Sequence, residues 1–131
     1  MIIGIGTDIV KISRIKEAYD RHKNRFAEKI LRPAELNIFQ EKQQSISYLA
    51  KRFAAKEAAS KALGTGIGSI SWQDIEIRND SSGAPILLLL GAAQIRMEVL
   101  GATQSFVSLS DEVNHAVAFV VLSGSSKNAA G

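Results

Sequence analysis

The run from Ser45 to Leu63 constrains this chain more than any other feature. It passes nineteen residues without a glycine or proline, and Gly64 and Gly66 then stop it, as residues tolerant of positive φ do after a helix. In a chain of 131 residues, such a run makes one long central helix. On a wheel at about 100° per residue, with Leu49 at the origin, Ile46 falls at about 60°, Phe53 at about 40° and Leu63 at about 320°. These residues form a bulky apolar stripe. On the same wheel Glu57 falls at about 80°, Lys56 at about 340° and Lys61 at about 120°. Three charges therefore lie on or beside the stripe.

A carboxylate or ammonium on an apolar face is costly unless it is paired or used. Lys56 has a stem long enough to snorkel. Glu57 is shorter and less able to escape. The structural account is an i,i+4 Glu57–Lys61 pair worth about 0.2–0.5 kcal/mol. Asp8 is a second misfit, because it interrupts the apolar run 2–10 just after Gly6 and Thr7. Taken alone it is a strand-end or capping residue. If that strand packs beside the long helix, Asp8 and Glu57 can converge. Two carboxylates with phosphate nearby suit Mg²⁺, and Lys61 would add a phosphate-directed ammonium.

The remaining elements follow from local patterns. Residues 2–10 read as a buried strand, with Gly4 and Gly6 marking close backbone approach. Ser13 is a candidate N-cap for a helix over 14–22, with Ile15 and Tyr19 inward. A short helix is expected over 26–31, and another over 34–40 behind Pro33, with Glu35 in its first turn and Leu36 and Phe39 inward. Residues 74–78 alternate as a half-buried strand, with Ile75 and Ile77 on one face and Glu76 on the other. A turn over 79–83 and an apolar strand over 86–90 complete a hairpin. A helix over 92–100 precedes strands over 105–110 and 116–122, joined by 111–115. The expected class is α+β, with helices packed on an antiparallel sheet. The expected domain spans 1–123, with a flexible tail over 124–131.

Composition narrows the function. There is no cysteine, which excludes a disulfide framework, a thiol nucleophile and thiolate metal sites, and fits the cytoplasm. The N-terminus lacks the basic and apolar regions of a signal peptide, and no apolar run is long enough to span a membrane. Residues 11–61 hold 13 basic and 6 acidic side chains, which points to an anionic partner. A nucleic-acid-binding module would use that charge. However, the segment carries no interleaved exposed aromatics or nucleic-acid motif, and carboxylates oppose phosphate unless a cation intervenes. Gly4-x-Gly6 lacks the rest of a dinucleotide fingerprint, and 64–68 has no Walker lysine. His22 and His115 show no metal-ligand spacing.

Several segments together resemble one family. Gly4-Ile5-Gly6-Thr7-Asp8-Ile9-Val10 resembles the opening strand of bacterial holo-acyl-carrier-protein synthases. The segment 52–62, RFAAKEAASKA, resembles their FxxKEAxxKA signature. Ser108-Leu109-Ser110-Asp111 resembles a third motif, and Gly83-Ala84-Pro85 matches a Gly-x-Pro turn between them. The motifs occur in the family's order and cover the chain to Ser123.

The resemblance implies a 4′-phosphopantetheinyl transferase fold and a homotrimer with active sites between subunits. It also implies transfer of phosphopantetheine from coenzyme A to a serine of acyl carrier protein, in support of fatty acid biosynthesis. Asp8 and Glu57 would hold Mg²⁺ and Lys61 would contact phosphate. Arg52 and Lys56 match positions that help bind coenzyme A, and Gly64-Thr65-Gly66 and the turn from Gly83 to Pro85 would lie near the nucleotide. The helix bearing Arg14 and Arg21 would dock the acidic carrier protein. Many relatives carry His where Asp111 stands, so Asp111 is a candidate proton acceptor of different chemistry. A metal-bound water and Glu57 are the other candidates for that role.

Overall fold

The structure is a computed structural model, and it describes residues 1–125. Strand β1, Ile2–Lys11, runs directly into helix α1, Ile12–His22. Helices α2 (Asn24–Ile30), α3 (Pro33–Glu41) and α4 (Ile46–Ala62) follow. A single 3-10 turn, Trp72–Asp74, leads into strands β2 (Ile75–Asn79) and β3 (Pro85–Leu89). Helix α5, Gly91–Val99, then precedes strands β4 (Ala102–Asp111) and β5 (His115–Gly124). Strands β1, β5 and β4 form one antiparallel sheet in that order, and β2 and β3 form a separate hairpin. The α+β expectation holds.

Helix α4 is central because it borders both cores. One core lies between α4, the three-stranded sheet, the hairpin and α5. The other gathers Ile15, Ala27, Ile30, Phe39, Tyr48 and Leu49 from helices α1 to α4. The Ser45 hydroxyl caps α4 by accepting from the Tyr48 N–H at 3.2 Å, and Gly64 ends it with φ +76°.

The face of α4 that meets the sheet is made of Ala54, Ala58 and Ala62, not of the bulky stripe. Small residues allow the backbones to touch. A Cβ on Gly6 would lie 1.9 Å from the Ala58 carbonyl oxygen, and one on Gly4 would lie 2.1 Å from that of Ala62. Only glycine permits this approach, which delivers the strand residue Asp8 to the flank of α4.

Several boundaries differ from expectation. Ser13 is not a cap. Strand β1 stays paired through Lys11, opposite His115, so the helix starts at Ile12, whose N–H donates to the Asn114 carbonyl at 2.9 Å. Asp111 is the last residue of β4, paired with Ala116, so the connecting turn is shorter than expected. Gly124 belongs to β5 and exchanges hydrogen bonds with Met1 at 2.8 and 2.9 Å, so the strand runs past the expected start of the tail. Residues 126–131 lie outside the described residues. Strand β2 is buried on both faces at Ile75, Glu76 and Ile77, because α3 covers the side that alternation assigned to solvent.

Candidate active site

The packing of β1 on α4 brings three charged side chains together. The Lys61 ammonium donates to Asp8 Oδ1 at 3.0 Å and to the Thr7 carbonyl at 3.1 Å. Asp8 and Glu57 line one open groove of about 480 Å³ with Val10, Arg14, Phe26 and Phe53. Burial raises the Glu57 carboxyl above its ordinary range, the negative charge of Asp8 raises it further, and Lys61 pulls it back. The convergence expected of Asp8, Glu57 and Lys61 is therefore present within one chain. Among the described residues no cluster of three or more potential ligands forms, so a cation here would draw two protein carboxylates and take the rest of its shell from elsewhere.

Arg14 lies on the wall of the same groove, one element away from the carboxylates. Arg21 lies on the exposed side of α1, two turns further on. Phe26 and Phe53 add aromatic surface to a wall that also holds Ile9, Val10, Ile15 and Ala18.

Asp111 lies elsewhere. Its Oδ2 accepts from the Ser47 hydroxyl at 3.1 Å, and its Oδ1 is 3.2 Å from the Lys51 ammonium. Lys51 precedes Glu57 by six residues, about 9 Å along the helix axis. Asp111 lines a second groove with Ser110, Glu112, His115 and Val117, and Ile9 borders both grooves. Within one subunit Asp111 is therefore not part of the Asp8–Glu57–Lys61 cluster. Lys51 and Ser47, its partners, carried no signal beyond membership of a helix.

The residues expected near the nucleotide divide into two groups. Arg52 Nη2 donates to Asn79 Oδ1 at 2.8 Å, and Asn79 Nδ2 donates to the Gly83 carbonyl at 2.9 Å. This chain ties α4 to the turn that leads into Pro85, while the guanidinium lies 4.3 Å from the centre of the Tyr48 ring. Arg52 Nε is buried and without a hydrogen-bond partner among the described residues. Gly64, Thr65 and Gly66 lie at the opposite end of α4, where the Thr65 and Gly66 N–H groups both donate to the Ser60 carbonyl at 3.1 Å.

Lys56 requires a correction. Its side chain is fully buried, and its ammonium donates to the Ile30 carbonyl at 2.6 Å, Glu35 Oε1 at 2.7 Å and the Trp72 carbonyl at 3.2 Å. All three N–H bonds are used, so it neither snorkels nor offers a donor to coenzyme A. Burial depresses its basicity, and Glu35 partly restores it. Glu35 is itself buried and accepts from the Arg32 and Ile77 N–H groups at 2.8 and 2.9 Å. Glu76 is buried beside it, held by Arg32 Nε at 2.9 Å and by Arg78. The sequence reading placed Glu35 in the first turn of its helix and Glu76 on the outer face of a half-buried strand, and it recorded the burial of neither.

Comparison with known proteins agrees with this geometry. A family signature described as "4'-phosphopantetheinyl transferase superfamily" matches residues 4–120. The chain belongs to this superfamily, within its holo-[acyl-carrier-protein] synthases. It is 51% identical over 123 residues to the holo-[acyl-carrier-protein] synthase of Halorhodospira halophila, covering 93% of this chain and 98% of the relative. The crystal structure of the Neisseria meningitidis holo-[acyl-carrier-protein] synthase superposes with a TM-score of 0.87 at 44% identity, covering 94% of this chain and 99% of the other. That of the Helicobacter pylori synthase, in complex with coenzyme A, superposes with a TM-score of 0.80 at 38% identity, covering 91% and 99%. The resemblance read from four short segments thus extends along nearly the whole enzyme. Among the described residues, no helix is long and apolar enough to cross a membrane.

Proposed function

We propose that this enzyme transfers the 4′-phosphopantetheine group of coenzyme A to a serine of apo acyl carrier protein, releasing 3′,5′-ADP. The serine oxygen forms a bond to the β-phosphorus of coenzyme A. The bond from that phosphorus to the bridging oxygen breaks, and the serine proton passes to a base. The observation that carries the reading is the convergence of Asp8 and Glu57 in one groove whose wall bears Arg14, with the Lys61 ammonium bound to Asp8.

The residues present fit a Mg²⁺ ion. Two carboxylates share a groove, and one is raised in pKa first by burial and then by the charge of the other, a repulsion that a divalent cation relieves. Asp8 and Glu57 would hold the ion, which when bound supplies positive charge to the pyrophosphate oxygens. Lys61 directs its ammonium at the same phosphates, and charge stabilisation of this kind is the main demand of phosphoryl transfer. The exposed basic face of α1, with Arg14 and Arg21, receives the acidic carrier protein. The Gly64–Thr65–Gly66 loop and the turn from Gly83 to Pro85 border the nucleotide, with Arg52 holding that turn in place.

A homotrimer completes the reading. The sheet face turned away from α4 presents Ile5, Ile9, Phe106 and Phe119, which are 55%, 64%, 54% and 45% exposed. A contiguous apolar face on a small domain favours burial against further copies. Burying it would bring the groove containing Asp111 to a subunit boundary, since Ile9 and Val117 line both that groove and this face. The absence of cysteine fits work in the cytoplasm, where the acyl carrier protein of fatty acid synthesis is found.

The test is incubation with coenzyme A, Mg²⁺ and apo acyl carrier protein, followed by mass spectrometry. A gain of one phosphopantetheine on the carrier protein is expected. Its absence from folded enzyme, with nucleic acid retained instead, would overturn the reading.

A further inference from the structure

Helix α2 has seven residues, too few to be stable alone, and buries only Ala27 and Ile30. Its last carbonyls need partners from outside the helix. Gln73 Nε2 donates to the Glu28, Lys29 and Leu31 carbonyls at 3.0, 3.3 and 3.0 Å. The Lys56 ammonium takes the remaining one, Ile30, at 2.6 Å. Two side chains therefore cap the whole C-terminal end of α2. One turn back along the same helix, Phe26 forms part of the groove wall with Arg14, Phe53, Asp8 and Glu57.

We infer that Lys56 is a positioning residue, whose buried ammonium fastens the end of α2 and so holds the Phe26 wall where the carrier protein enters. Consecutive residues of α4 point about 100° apart, so Glu57 faces the groove while Lys56 reaches the tie-point behind its wall. The counter-ion is equally fixed, because Glu35 is held by the Arg32 and Ile77 N–H groups. The Asp8–Glu57–Lys61 cluster does not depend on this tie. It is placed by the contact of Gly4 and Gly6 with α4. Loosening α2 should therefore affect the carrier protein and spare coenzyme A. The inference rests on the reading that the carrier protein docks along the Arg14 side of the groove.

Lys56→Met alone strands the Glu35 carboxylate in the core. The informative variants are therefore Lys56→Met combined with Glu35→Gln, which removes both charges, and Gln73→Ala, which loosens the same helix end without touching the buried pair. Steady-state kinetics on the folded enzymes should show the KM for apo carrier protein raised about two- to tenfold, the scale of one net hydrogen bond. The KM for coenzyme A should not move. Amide hydrogen exchange should quicken in α2 and not in α4. A fall in active fraction that affects both substrates alike, or faster α2 exchange with an unchanged carrier-protein KM, overturns the inference. Arg14→Glu in the same assay separates the two readings. If it raises the carrier-protein KM selectively while the Lys56 and Gln73 variants do not, the inference alone fails. If it too is unselective, the docking reading fails and the inference with it.

Discussion

Lys61 Nζ lies 3.0 Å from Asp8 Oδ1, although 53 positions separate the two residues in the chain. The contact ties the ammonium proposed to meet phosphate to a carboxylate proposed to hold the metal ion. It also explains why Glu57, next to both, feels opposing influences.

Lys61→Ala releases Asp8 from its partner and leaves two acids facing each other. Calorimetric titration of the free enzyme should show Mg²⁺ bound more tightly than in the parent. Transfer should nevertheless fall by about 10²–10³, the usual cost of losing one preorganised donor to a developing charge. Loss of Mg²⁺ affinity in this variant would show that Lys61 supports the cation site instead of competing with it.

Glu57 links stability to pH. Its carboxyl is raised above the ordinary value of 4.5, first by burial and then by Asp8. Folding therefore favours its protonated form. Its contribution to stability is complete below the unfolded pKa and is lost as pH rises through the higher folded one. Without Mg²⁺, Glu57→Gln should gain stability over the parent across that window and keep the gain at neutral pH. Thermal melts at pH 4 and pH 7 would check this, and an equal difference at both would remove the raised pKa from the account.

Gly6→Ala should be severe for so small a change. Its Cβ would lie 1.9 Å from the Ala58 carbonyl oxygen, a backbone atom that cannot turn aside. Helix α4 must move off β1, with an expected loss of about 1–3 kcal/mol. Activity should fall further than stability, because Asp8 and Glu57 sit on the two separated elements. Chemical denaturation and a transfer assay on the folded fraction measure the two effects.

Phe106→Glu puts a charge on the exposed apolar sheet face without touching α4. Analytical ultracentrifugation should show the parent as the proposed trimer and the variant as monomer, with transfer lost and the monomer still folded by circular dichroism. An intact trimer would place the subunit contact elsewhere.

Much of the fold was legible because its signals are local. The unbroken run from Ser45, Gly64 as a stop and the Asp80–Gly83 turn are each recorded within a few neighbouring residues. Asp8 and Glu57 stood out for the same reason, as charges breaking short apolar patterns. What could not be read locally was the meaning of alanine. A wheel ranks faces by bulk, so it favoured the stripe through Leu49 and Phe53 over Ala54, Ala58 and Ala62, whose value lies in letting β1 approach. The burial of Glu35, Lys56 and Glu76 was missed for a related reason. Their burial depends on partners 21 to 44 residues away, and no periodicity records such distances. Asp111 held its place in a family motif, yet its carboxylate is engaged by Ser47 and Lys51, contacts that only the tertiary structure reveals.

The strand order has a consequence for how the protein is made. Among the described strands, the central one of the three-stranded sheet, β5, is synthesised after the other four, and its partner β1 before them. Thr7 Oγ1 donates to the Ala118 carbonyl, 111 residues further along. Until β5 has been made, β1 has an exposed edge where that partner will pair. Contacts of such long range form late, and the waiting strand, with Ile2, Ile5 and Ile9, is open to the wrong neighbours. The sheet behind the site is thus complete only when β5 has left the ribosome.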